Sequence, residues 1–120
     1  MSNGSDAARN LTPPFPSFPS GHAVFGGAVF QTFREYWKTN GHKEQFSFMS
    51  DEYNGHNYPP GGSNPRPRIK KTFANFADAE NENARSRIYL GIHWQFDADV
   101  GVEQGHEVAT YVFQNALMSK

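Results

Sequence analysis

The sequence predicts an all-α fold, a partial helical bundle of about three main helices with one long Pro/Gly-rich loop. Two observations carry this. Apolar residues recur at helical spacing in three separate segments, and residues 46–72 between the first two are crowded with turn-forming pairs. A third makes the bundle partial: the first segment is apolar around most of its circumference, which requires neighbours on most sides.

Taken in order, residues 1–11 read as a disordered polar tail and residues 12–118 as one partial helical domain. From Pro13 to Pro19 four prolines alternate with Phe15, Ser17 and Phe18, favouring extended chain. Ser20 is a helix N-cap. A helix is expected from about Gly21 to Lys38, with Val24, Phe25, Ala28, Val29, Phe33, Tyr36 and Trp37 over a wide apolar face. Gly26 and Gly27 cost helical propensity but admit a close neighbour.

Residues 46–72 read mostly as loop, since Asn54-Gly55, Pro59-Pro60-Gly61-Gly62 and Asn64-Pro65 are turn signals. The basic cluster Arg66, Arg68, Lys70 and Lys71 reads as solvated surface. A second helix is expected from Phe73 to roughly Leu90, with Phe73, Phe76, Ala77, Ala84, Arg87 and Ile88 on one face; Glu80 on that face must be partly exposed or paired. A third, from about Ala98 to Leu117, is expected to bury Val102, Gly105, Val108, Ala109, Val112, Phe113 and Ala116.

Composition excludes several classes. The 120 residues suffice for one domain, and 37% hydrophobic residues with 11 Phe argue against disorder. A formal net charge of -1 gives no reason to expect nucleic acid or an anionic membrane as partner. Absence of cysteine removes disulfides, thiolate chemistry and Cys-based metal sites. The opening "MSNGSDAARN" lacks the basic start and apolar run of a signal peptide, and the longest apolar run, Ala23 to Phe30, is far short of a membrane span. The cellular location stays open.

Two clusters carry candidate chemistry. At Ser20, Gly21 and His22, the unpartnered N–H groups of a helix's first turn favour an oxyanion, a serine hydroxyl adds a donor, Gly21 admits close approach, and His22 can pass a proton. The plain alternative is an N-cap serine followed by a partly packed histidine. In "ENARSRIYLGIHWQFDA", Arg87 is a planar fork suited to two oxygens of a tetrahedral anion. His93 follows Gly91, where a bend would return its ring toward the guanidinium. Asp97, four residues on, is spaced to set a carboxylate beside the imidazole, and Asp99 offers the same. Against this, Arg87 could pair with Glu82 or Glu80, and His93 could be a packed core ring. His42 and His56 lie in turn-rich segments and His106 in the third helix, and they rank lower; no zinc-type histidine spacing, phosphate-binding loop or dinucleotide pattern is present.

These clusters resemble two of the three signature motifs of the superfamily uniting type 2 phosphatidic acid phosphatases with vanadium-dependent haloperoxidases. Pro19-Ser20-Gly21-His22 matches the middle motif, and Ser86-Arg87, five residues, His93, three residues, Asp97 matches the last. The surrounding "PPFPSFPSGHAVFGGAVFQ", "SDEYNG" and "RIYLGIHWQFDA" are similar to the soluble haloperoxidases, and the likeness extends over most of residues 12–118. The resemblance implies a helical bundle of the acid phosphatase/vanadium haloperoxidase type. It implies vanadate as cofactor, with phosphate fitting the same site, His93 as metal ligand, and Arg87, Ser20 and the Gly21 amide on the oxyanion. His22 would be the acid–base group, with His22, His93 and Arg87 forming the catalytic set, and Phe15 and Asp97 supporting. Hydrogen peroxide and halide would be the reactants.

The first motif of that superfamily, a lysine and an arginine followed by proline, is missing upstream of Pro19, where Arg9 is the one basic residue. The resemblance therefore implies a carboxy-terminal active-site portion of a longer enzyme, or a truncated relative. A missing upstream half also implies self-association through uncovered apolar faces. Three functions follow: halide oxidation by a haloperoxidase-like site incomplete in this chain, phosphomonoester hydrolysis by a soluble acid-phosphatase-like site, or anion binding without catalysis in an interaction module.

Overall fold

The computed structural model describes residues 13–117, so the expected tail at 1–11 lies outside the described residues. Three main helices and a long connection are present as the sequence predicts. Helix α1 spans Gly21–Trp37, α2 Phe76–Tyr89 and α3 Gln95–Val112, the last continuing into a π-helical turn at Phe113–Leu117. The connection departs from the loop expected over residues 46–72. Phe46–Asn54 (β1) and Arg68–Phe73 (β2) pair as an antiparallel ribbon, with Phe46 opposite Phe73 and Phe48 opposite Lys71. The turn signals lie between the strands or at their ends. The Phe- and Thr-bearing stretches flanking them have the aromatic and β-branched content that suits strands.

Local capping chemistry sets the helix ends. Ser20 caps α1, its hydroxyl accepting from the Ala23 amide at 3.4 Å, and Lys38 ends the helix in the left-handed region at φ 51°. Helix α2 starts at Phe76, three residues later than predicted, because Phe73 closes β2 and the Asn75 side chain accepts from the Asp78 amide at 2.8 Å. Helix α3 starts at Gln95, three residues earlier than predicted, because Asp97 accepts from the Trp94 amide at 2.8 Å.

The core is a seam of small residues. Ala23, Gly27, Ala84, Ala98, Gly101, Gly105 and Ala109 are buried, whereas Phe25, Val29, Tyr36, Val108, Val112 and Ala116 are exposed. The burial expected for Val108, Val112 and Ala116 is thus not found among the described residues. A Cβ on Gly27 would sit 2.6 Å from the Val102 carbonyl oxygen, and one on Gly101 would sit 2.8 Å from that of Ser20. These backbones approach too closely for large side chains to share the seam.

Contacts along this seam advance together, Ser20 with Gly101 and Gln31 with Thr110, so α1 and α3 run parallel. Helix α2 opposes both, with Asn83 against His22 and Glu80 against Arg34. At the far end the ribbon docks through aromatic rings, Phe46 on Phe73 at 5.5 Å and Phe76 among Phe30, Phe33 and Phe46 within 5.9 Å. This topology gathers the N-termini of two parallel helices and the C-terminal turn of α2 at one end of the bundle.

Candidate active site

That end is favourable for an anion before any side chain is counted, because two helix N-termini present unpaired N–H groups and the positive ends of their dipoles. The termini are tied directly: the Ser20 amide donates to the Asp97 carbonyl at 2.9 Å. Ser20 is fully buried. Gly21 faces open space, since a Cβ there would meet nothing within 4 Å. The main chain at Gly21 is thus accessible to a small ligand.

Helix α2 brings Arg87 in its last turn. Gly91 at φ 71° then reverses the chain, a conformation glycine adopts without strain. The amides of Ile92 and His93 both donate to the Arg87 carbonyl, at 3.1 and 3.3 Å. The backbone of His93 is therefore folded back onto the residue that carries the guanidinium. Its ring is buried, and Phe15 from the proline-rich segment lies against it with ring centroids 6.4 Å apart.

The polar atoms here are unusual in having no partner. Arg87 Nε, both ring nitrogens of His93 and Asp97 Oδ1 are buried without a hydrogen bond among the described residues. Buried polar groups left in this state cost free energy, which a ligand of matching polarity would recover. Asp97 Oδ2, occupied by the Trp94 amide, stands 3.6 Å from His93 Nδ1, too far for a hydrogen bond. Asp99 is exposed and accepts from Gln95 Nε2 at 2.6 Å, away from His93.

His22 stands at the open side. Its pKa is pulled below the ordinary imidazole value, first by partial desolvation, then by the Arg87 guanidinium and by His93. All three residues therefore share one electrostatic neighbourhood. The possible competitors for Arg87 are engaged elsewhere: Glu80 binds Arg34 at 2.8 Å, and Glu82 pairs with Lys71. His42 and His56 are exposed in turns. Among the described residues no group of three His, Asp or Glu side chains could hold a bare metal ion. A histidine nitrogen beside a guanidinium, a hydroxyl and free amides is instead a donor set for a tetrahedral oxyanion.

Two features were not legible in the sequence. The Asn83 amide donates to the His22 carbonyl at 2.8 Å. His106 Nε2 lies 2.6 Å from Glu80 Oε1, completing an Arg34–Glu80–His106 cluster across all three helices. The periodicity placed Glu80 on a buried face and so called for a partner, but its partners are 46 residues back and 26 ahead.

A parallel pair of helices crossed by an antiparallel third, with the backbone of His93 folded onto that of Arg87 at one end, is a helical-bundle domain. The chain belongs to the family of the VCPO second helical-bundle domain, which it matches over residues 4–119. It is 42% identical over 108 residues to the vanadium chloroperoxidase of Curvularia inaequalis, an alignment covering 72% of this chain and 18% of that protein. The crystal structure of a bacterial vanadium-dependent iodoperoxidase superposes with a TM-score of 0.61 at 34% identity, covering 86% of this chain and 22% of the other. An apo-type bacterial vanadium-dependent chloroperoxidase, 19% identical, shares the fold with a TM-score of 0.62. The chain thus spans about a fifth of the length of the relatives it matches.

Proposed function

We propose that this domain, residues 12–118, carries the oxyanion-holding part of a vanadate-dependent haloperoxidase that oxidises halide with hydrogen peroxide. The observation that carries the reading is the set of buried atoms without a partner among the described residues, Arg87 Nε and the two His93 nitrogens, at the end of the bundle where α1 begins. They fit a tetrahedral oxyanion: His93 would hold the metal through a ring nitrogen, and Arg87, the Ser20 hydroxyl and the Gly21 amide would hold its oxygens. Bound there, vanadate supplies a Lewis acid that activates peroxide toward two-electron oxidation of halide.

The chain's own residues do the rest. Arg87 and the helix N-termini concentrate positive charge and stabilise negative charge that develops on oxygen. The Asp97 carboxylate lies on the Nδ1 side of His93, which favours an N–H at that nitrogen and presents the other to the ligand. Phe15 covers the His93 ring and limits water on that side. His22, accessible and with its pKa lowered, takes and returns protons. Oxidation of halide by peroxide yields hypohalous acid and water and consumes one proton, and His22 is the group placed to deliver it. The lysine and arginine of the first motif are supplied, in this reading, by polypeptide outside this chain.

Phosphomonoester hydrolysis is the second reading, favoured by two imidazoles, His22 and His93, in the electrostatic neighbourhood of one guanidinium. There His93 would attack phosphorus and His22 would protonate the leaving oxygen. Steady-state assays with added orthovanadate, run on the longer polypeptide that supplies the first motif, separate the two. Halide-dependent peroxide consumption is expected; hydrolysis of a phosphomonoester that vanadate merely inhibits would overturn the haloperoxidase reading. Vanadate binding with neither turnover would leave an anion-binding module.

A further inference from the structure

Asn83 lies one helical turn before Arg87 on α2, just ahead of the Ser86–Asp97 motif, and none of the roles above falls to it. Its Nδ2 donates to the main-chain carbonyl of His22 at 2.8 Å. Among the described residues this is the hydrogen bond that joins α2 to the first turn of α1. It crosses at Gly26, where a Cβ would overlap the Asn83 amide. The glycine therefore makes the notch through which the side chain reaches. The main-chain carbonyl of Asn83 accepts from the Ser86 hydroxyl at 2.7 Å. The peptide that carries His22 is thus tied to the same stretch of α2 that carries Arg87, while α3 holds the other side of that turn through Ser20 and Asp97.

We infer that Asn83 is a positioning residue: seated in the Gly26 notch, it clamps the His22 peptide to α2 and so sets the imidazole in register with Arg87 and His93. The inference rests on the reading of His22 as the group that moves protons. Its lowered pKa, caused in part by Arg87 and His93, agrees with a ring held facing them. Without the clamp, the first turn of α1 keeps its tie to α3 and its free amides, so oxyanion binding survives and proton delivery does not.

Four variants test this: N83A, the isosteric N83D that removes the donor, G26A that fills the notch while keeping Asn83, and the G26A/N83A double. Three quantities are read: the ring signals of His22 by NMR at about pH 8.5, where imidazoles are neutral, the affinity for orthovanadate, and halide-dependent turnover in the longer polypeptide that completes the site. In N83A, N83D and G26A the His22 ring signals are expected to move toward those of an unconstrained imidazole. Turnover is expected to fall about tenfold or more and vanadate affinity to stay within about twofold. The double variant should be no worse than N83A, because the added methyl then has nothing to displace. Unchanged His22 signals in N83A, or vanadate affinity that falls in step with turnover, would overturn the inference. If vanadate fails to bind the unaltered chain, the functional reading falls separately, and the His22 signals still decide whether Asn83 is the clamp.

Discussion

The Ser20 amide donates to the Asp97 carbonyl at 2.9 Å, so α1, whose first turn carries His22, and α3, which follows His93, begin at the same point. Asp97 then has two tasks: its Oδ2 caps α3 through the Trp94 amide, and its charge stands 3.6 Å from His93 Nδ1.

The tasks separate by substitution. Asp97→Asn keeps an oxygen for the Trp94 amide and removes the charge. Its unfolding free energy is expected to stay within about 1 kcal/mol, while orthovanadate affinity falls about tenfold. Asp97→Ala loses the cap as well, at a further cost of about 0.5–2 kcal/mol. Urea unfolding and vanadate titration on both variants check this; equal vanadate affinity in Asp97→Asn and the unaltered chain would show that the carboxylate does not serve His93.

Gly21 and Gly105 look alike in sequence and should behave oppositely. A Cβ on Gly105 would overlap the Val24 carbonyl oxygen and stand 2.7 Å from the Ala28 amide nitrogen, backbone atoms that cannot swing aside. Gly105→Ala is expected to cost about 1–3 kcal/mol. A Cβ on Gly21 meets nothing within 4 Å. Gly21→Ala should therefore leave stability unchanged or raise it by about 0.5–1 kcal/mol, yet weaken vanadate or phosphate binding by crowding the free amides. Urea midpoints and anion titration read the two effects.

His22 makes stability depend on pH with a definite sign. Its folded-state pKa lies below the unfolded value near 6.5. The unfolded chain therefore binds more protons, and acidification through 6.5 toward the folded pKa removes stability. His22→Asn is expected to lose less stability than the unaltered chain between about pH 7.5 and about pH 5. Added phosphate should narrow the difference, because an anion beside the imidazole favours its charged form. Urea midpoints across that range measure it, and parallel pH curves would refute the assignment.

How much of this was legible in the sequence follows from how local each signal is. The starts of α1 and the turn at Gly91 could be read because Ser20 and Gly91 act on their own neighbours, through a cap and a positive φ. The pairing of β1 with β2 was hidden because turn-forming residues separate the strands and dominate the segment; nothing local reports that Phe46 will meet Phe73. Burial was misassigned on α3 for a related reason. Periodicity marks Val108 and Val112 as apolar, but which apolar stripe is covered depends on Gly101 and Gly105 letting α1 approach on the other. Ser20, His22, Arg87 and His93 were singled out by motif as candidates, whereas Asn83 and His106 make their hydrogen bonds across helices and carry no local mark.

The last prediction concerns that long-range cluster. Arg34 and Glu80 form a bidentate pair, at 3.1 and 2.8 Å, with side chains 11% and 8% exposed, and His106 reaches the same carboxylate from α3. The pair sits far from the helix ends that face the oxyanion site, so it tests the fold without touching the chemistry. Glu80→Ala leaves the Arg34 guanidinium buried without its counter-charge, and such a loss costs about 3–5 kcal/mol. Replacing both partners, Arg34→Met with Glu80→Met, removes the stranded charge and should cost less than Glu80→Ala alone, since apolar substitutes recover packing without desolvation. Urea unfolding of the two variants decides it. If the double variant is the less stable, the ion pair contributes net stability to the junction of the three helices; if Glu80→Ala is nearly neutral, Arg34 escapes to water and the cluster does not hold the junction.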